Sequence, residues 1–126
     1  MHKRTPSAES KSWNRLLAAY ARPVDRKAWF QLVSTAALFA LTWGLMLVSL
    51  RGPYWLTLVA ALPAAGLLTR LFIFQHDCGH GAFFRSRVAN NLVGGLLGVL
   101  TLTPYRYWRR THALYHGTSG DLDRRG

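Results

Sequence analysis

The 126-residue sequence contains one cysteine, Cys78, so it forms no intrachain disulfide and no multi-cysteine metal cage. Any metal it holds must be bound through nitrogen and oxygen. Acidic residues are also scarce, five Asp and Glu against sixteen Lys and Arg, and Glu9 is the only glutamate. That scarcity excludes a carboxylate-bridged di-iron bundle, which needs several inward-facing glutamates. It also excludes the HExxH arrangement, in which a glutamate beside a zinc-binding histidine acts as general base. No internal repeat of useful length is present. Charge itself is missing over Trp29–Leu50, twenty-two consecutive residues without an ionised side chain.

A helix over 29–50 is about 33 Å long, enough to cross a hydrocarbon core of about 30 Å. It is too long for the apolar region of a signal peptide, so it is read as a retained anchor. Arg51-Gly52-Pro53 supplies a tight turn, with Tyr54 and Trp55 suited to a membrane interface. A second span over 54–75 follows, with Pro63 and Gly66 in its middle and Arg70 near its end. The run 92–102 (LVGGLLGVLTL) is too short to cross and is read as interfacial or re-entrant. Gly94 and Gly98 within it have GxxxG spacing, which occurs often by chance in such segments and is given no functional weight. The expected fold is therefore all-α: a basic arm over 1–28 with a surface-lying segment around Trp13–Tyr20, a transmembrane hairpin over 29–75, and two histidine-bearing helices flanking the short run within 76–126.

The net charge of +11 suits an anionic bilayer, nucleic acid or acidic partners, and its distribution decides among them. Lys3, Arg4, Lys11, Arg15, Arg22, Arg26 and Lys27 precede the first apolar run, Arg51 alone lies between the runs, and the remaining basic residues come late in or after the second. This pattern places both ends of the hairpin in the cytoplasm. Basic residues interleave with Tyr105, Tyr107 and Trp108, but no nucleic-acid-binding module accompanies them, so no nucleic-acid partner is expected.

Four of the five histidines form two pairs of identical spacing, His76-x-x-x-His80 and His112-x-x-x-His116. On a helix, each pair projects from one face and can grip one ion. If 92–102 does not cross the membrane, both pairs lie on the same side and can share a site. Imidazole suits Fe, Zn, Cu and Ni. A single such pair is more simply two surface histidines, but two pairs beside membrane segments favour a shared nitrogen-dominated metal site.

His76-Asp77-Cys78-Gly79-His80-Gly81-Ala82-Phe83-Phe84 resembles the first histidine box of the membrane fatty-acid desaturases. Trp108 to Gly126 (WRRTHALYHGTSGDLDRRG) resembles the region of their second box, especially in bacterial members. The resemblance implies a non-haem di-iron oxidoreductase of lipid metabolism. Such an enzyme uses O₂ to dehydrogenate an acyl chain, with electrons from a ferredoxin or a cytochrome b5-type donor. It also implies that His76, His80, His112 and His116 are iron ligands. Asp77 matches a position where a carboxylate orients a ligand imidazole, although a helix-terminal or surface charge explains it equally. Cys78 and Gly79 are read as packing residues. Asp121 and Asp123, with Arg124 and Arg125, match a run after the second box that a solvated turn also explains, and they are left out of the ligand set.

Two departures from the family pattern bear on activity. The second box usually reads His-x-x-His-His, whereas Tyr115 stands here before His116. A phenolate can ligate iron, but a lost ligand is the simpler reading. No histidine follows His116, so a third box is not present in this stretch. The chain is read as an amino-terminal fragment expected to hold iron weakly and to be inactive alone. Three alternatives stand beside this reading. The first is a small membrane protein with a four-histidine site for zinc or another single metal. The second is a fragment of a related hydroxylase or carotenoid oxygenase that shares the boxes. The third is a basic two-helix lipid anchor with inert histidines.

Overall fold

The two long apolar runs fold as the two longest helices of the structure, a computed structural model that describes residues 22–118. The expected surface segment around Trp13–Tyr20, and Asp121 and Asp123, lie outside the described residues. Helix α1 spans Asp25–Ser49 and α2 spans Tyr54–Gly79. The shorter α3 covers Arg87–Leu100 and α4 covers Tyr105–Thr118. No strand occurs among the described residues, in agreement with the all-α expectation.

The link between α1 and α2 is a tight turn. Arg51 N donates to Val48 O at 3.1 Å, Gly52 N donates to Ser49 O at 3.0 Å, and Pro53 occupies the extended cap position of α2. At this end the hydroxyls of Ser49 and Thr57 lie 2.7 Å apart. Thr35, Thr57 and Ala64 are buried in the described fold, small side chains of the kind that let helices approach closely. Pro63 lies inside α2 and removes the N–H that would pair with the carbonyl of Val59, yet the helix runs through it. At the other end of the hairpin, Asp25 Oδ1 accepts from Arg85 N at 2.9 Å and Pro23 O accepts from Arg85 Nε at 3.0 Å. The start of α1 is thus tied to the segment that leaves α2, and the two helices run antiparallel.

Both long helices are apolar enough to cross a membrane, and most of their outer surface has no protein cover. Phe30 is 74% exposed and Leu62 75% exposed. Water would oppose so large an apolar surface, whereas hydrocarbon accepts it.

The first histidine pair is carried by the last turn of α2 and its cap. The helix runs past residue 75, where the expected span ends, and reaches Gly79 before the chain turns at Gly81. Gly81 adopts φ +70, with Gly81 N donating to Cys78 O at 3.0 Å and Ala82 N donating to Asp77 O at 2.9 Å. This is the left-handed stop that glycine makes at low cost. The chain then enters a buried aromatic corner. Phe83 stacks on Phe74 at 4.9 Å, and Phe84 meets Trp29 at 5.0 Å.

Helix α3 is about 21 Å long, too short to cross a bilayer. Ser86 caps it by accepting from Ala89 N at 3.3 Å. Val93 and Leu97 pack into the core beside Leu71, Phe74 and Cys78, and Thr101 Oγ1 donates to the buried Gln75 Oε1 at 2.6 Å. The helix ends with the same hydrogen-bond pattern as α2: Leu102 N donates to Val99 O at 3.2 Å and Thr103 N donates to Gly98 O at 2.8 Å. Here the left-handed residue is Leu102, at φ 54 and 92% exposed. A side chain in that conformation is strained. Leu102→Gly is expected to stabilise the fold by about 1 kcal/mol, read as a higher denaturant midpoint in detergent micelles. An unchanged or lower midpoint would contradict it.

The glycines of α3 have a role that sequence reading did not assign. A Cβ on Gly94 would stand 2.5 Å from the Tyr105 ring, and one on Gly98 would stand 2.7 Å from Thr103 O. The two glycines let Tyr105, the first residue of α4, lie in the face of α3. That contact sets where α4 leaves the core.

Candidate metal centre

Each histidine pair sits on one helix face by its i,i+4 spacing, and the fold brings the two faces together. His80 Nε2 lies 3.2 Å from His76 Nε2 and 3.2 Å from His112 Nε2. His112 Nε2 lies 3.1 Å from His76 Nε2 and 3.0 Å from His116 Nε2. All four ligand atoms fall within 4.8 Å of one another. All four histidines singled out from the sequence therefore meet at one point. They come from segments 32 and 36 residues apart.

Hydrogen bonding alone does not account for this arrangement. A neutral imidazole carries one N–H, yet His112 Nε2 faces three other ring nitrogens at contact distance. A shared cation satisfies all of them. Nitrogens bound at about 2.1 Å to one metal stand about 3.0–3.4 Å apart, which is the spacing found between neighbouring rings. The donor set therefore fits a metal ion.

Asp77 places Oδ1 3.2 Å from His76 Nδ1. The carboxylate accepts, so the ring proton belongs on Nδ1 and Nε2 is left free to ligate. His80 and His112 are both held below the ordinary histidine pKa, first by desolvation among the packed rings and then by the neighbouring imidazoles. Both causes favour the neutral, ligating form. Cys78 is buried in the core, the packing role expected of it. Tyr115 is 66% exposed, with its ring centroid 6.1 Å from that of His116.

Trp108 was missed as a site residue. Its indole stacks on the His112 ring at 4.7 Å and 15° and meets His76 edge-on at 5.6 Å. Its spacing four residues before His112 was the available signal, since that spacing puts both on one face of α4.

The family described as Fatty acid desaturase matches residues 53–125, a stretch that contains both histidine pairs and the helices bearing them. The chain belongs to this family. Its resemblance in the two boxes is thereby confirmed. The desaturase chain is 41% identical over 126 residues, all of its length, to the fatty acid desaturase of Bacillus subtilis (strain 168), of which it covers 36%. It is 31% identical over 98 residues, 78% of its length, to the sn-1 oleoyl-lipid 12-desaturase of Anabaena variabilis, of which it covers 27%. Over 57 residues, 45% of its length, it is 42% identical to the sn-1 acyl-lipid omega-3 desaturase (ferredoxin) of Synechocystis sp., of which it covers 16%. The chain spans about a third of the length of the Bacillus relative. No solved structure matches it. The family is membrane-bound, and α1 and α2 of this desaturase chain have the length and composition to provide spans.

Proposed function

We propose that the chain forms part of an acyl desaturase domain, in which His76, His80, His112 and His116 bind iron beside a transmembrane hairpin. The observation that carries this reading is the convergence of four Nε2 atoms within 4.8 Å at the end of two lipid-suited helices. Bound iron would supply the activation of O₂ that removal of hydrogen from an unactivated acyl C–H requires. Overall, adjacent methylenes lose two hydrogens to become a double bond. O₂ is reduced to two waters by those hydrogens together with two protons and two electrons from a donor. A ferredoxin or a cytochrome b5-type protein is the proposed donor, and the name of the Synechocystis relative supports the first.

The residues of this chain have definable parts in that chemistry. The four imidazoles hold the metal, and Asp77 keeps the proton of His76 on Nδ1. A groove that includes His80, His112 and His116 is lined by apolar Leu92, Gly95 and Pro104 and by basic Arg106, Arg109 and Arg110, a mixed lining that offers apolar contact to an acyl chain and positive charge to a headgroup. The basic flanks of the hairpin support a topology in which both of its ends, and the metal centre beside them, face the cytoplasm.

The test is a chimera in which this chain replaces the matching segment of the Bacillus subtilis fatty acid desaturase. New double bonds in the host's membrane fatty acids are expected, together with bound iron, and both are lost with His76→Ala. An inserted, iron-loaded chimera that makes no unsaturated product, beside an active parent, would overturn the reading. A single-ion reading draws on the same compactness, because four nitrogens suffice for a closed tetrahedral zinc site. One tightly held zinc per chain, unaffected by iron supply, would decide for it.

A further inference from the structure

We infer that Trp108 is the positioning residue that sets the two histidine pairs in register, and that Gly79 is the notch that receives it. The inference rests on the metal-centre reading and adds to it how the centre is assembled. One indole touches a histidine of each pair: it lies flat on His112 at 4.7 Å and 15°, and edge-on to His76 at 5.6 Å and 61°. Phe72, one turn before His76 on α2, meets the same indole at 5.9 Å and 74°. The ring is thus fixed from α2 while it fixes a ligand on α4.

The approach depends on residue 79 having no side chain. A Cβ there would stand 2.7 Å from Trp108 Cζ3 and 3.5 Å from Cη2, so even alanine would push the indole away. Gly79 lies between His76 and His80, and Trp108 lies four residues before His112. The notch and the wedge therefore belong to the same two helix faces as the ligands. The two pairs meet only when the wedge is seated.

The physical effect is preorganisation. A ligating imidazole that turns freely about its side-chain torsions must be ordered when metal binds, and that ordering weakens binding. His76 is held by the Asp77 carboxylate. On His112 the flat indole does the corresponding work by fixing the plane of the ring and hence the direction of Nε2. Loss of a partner that orients a ligand typically weakens metal binding about 10- to 100-fold.

Cobalt(II) titration of the full chain in detergent micelles, followed by visible ligand-field absorption, reads affinity and geometry together. Trp108→Ala is expected to weaken cobalt binding about 10- to 100-fold and to alter the absorption band. Trp108→Phe, which keeps a flat ring, is expected to bind more tightly than Trp108→Leu, which only fills space. Gly79→Ala should weaken binding in the wild-type background and have no further effect with Trp108→Ala, because the two changes remove one contact. Trp43→Phe on α1, away from the site, should leave affinity and band unchanged. Wild-type affinity and band in Trp108→Ala would overturn the inference, as would additive losses in the double variant. Should Trp108→Ala not be recovered folded, equal affinities for the phenylalanine and leucine variants would overturn it. Wild-type chain that binds no cobalt overturns the metal-centre reading itself.

Discussion

Replacing His112 with alanine is expected to weaken metal binding by more than about 100-fold, beyond the range seen when a ligand merely loses its orienting partner. The reason lies in the connectivity of the four rings. His112 Nε2 stands 3.0–3.2 Å from the Nε2 atoms of His76, His80 and His116, whereas His116 has a nitrogen this close only in His112. Removing His112 therefore takes the hub from the cluster and parts His116 from the first pair. His116→Ala should be the milder change, since three mutually adjacent nitrogens remain. Metal content after dialysis, with cobalt titration of the same samples, gives the comparison. Equal losses for the two variants would show that the rings do not act on one ion as placed. Retention of wild-type affinity by His112→Ala would remove this histidine from the metal centre.

The second large effect is on stability and falls outside the histidines. Asn90 is 2% exposed and is bound through both ends of its amide: Oδ1 accepts from Phe84 N at 3.0 Å, and Nδ2 donates to Phe84 O at 2.7 Å and to Ser86 O at 3.0 Å. The side chain thus satisfies both backbone groups of Phe84, which is itself 1% exposed. Alanine at this position leaves a buried N–H and a buried carbonyl without partners, at a cost of about 2–5 kcal/mol. Asn90→Asp should fall between wild type and alanine in the neutral form of the acid, because an acceptor for Phe84 N is retained and the two donated bonds are altered. Denaturant titration in detergent, followed by far-UV circular dichroism, measures the loss. A change under about 0.5 kcal/mol, the range of ordinary surface substitutions, would falsify this role. The segment that Asn90 holds runs directly from His80 into α3, so a loosened corner should also weaken metal binding.

Much of this architecture is legible in the order of residues. Trp29–Leu50 has no charge to place in hydrocarbon, and Arg51-Gly52-Pro53 leaves room only for a tight return, so an antiparallel hairpin follows from composition and length. The paired histidines are legible for a different reason. Spacing of four on a helix aligns side chains through local geometry, whatever the rest of the chain does. Boundaries were less accessible. The first box continues α2 as far as Gly79, before the turn at Gly81, and α3 starts at Arg87 because Ser86 caps it, upstream of the apolar run. Hydropathy registers neither a cap nor a left-handed stop.

The sequence by itself determined that this protein has two lipid-suited helices, a short helix unable to cross, and two histidine pairs each aligned on its own helix. These are properties of consecutive residues, governed by hydrogen bonding within a helix and by transfer of apolar side chains from water. Only the tertiary structure decided that the pairs meet within 4.8 Å, because that depends on Gly94 and Gly98 admitting Tyr105, Gly79 admitting Trp108, and Asn90 pinning Phe84. Each of those contacts joins residues on different elements. A glycine read alone shows only freedom, and its use as a socket appears once the ring that fills it is in place.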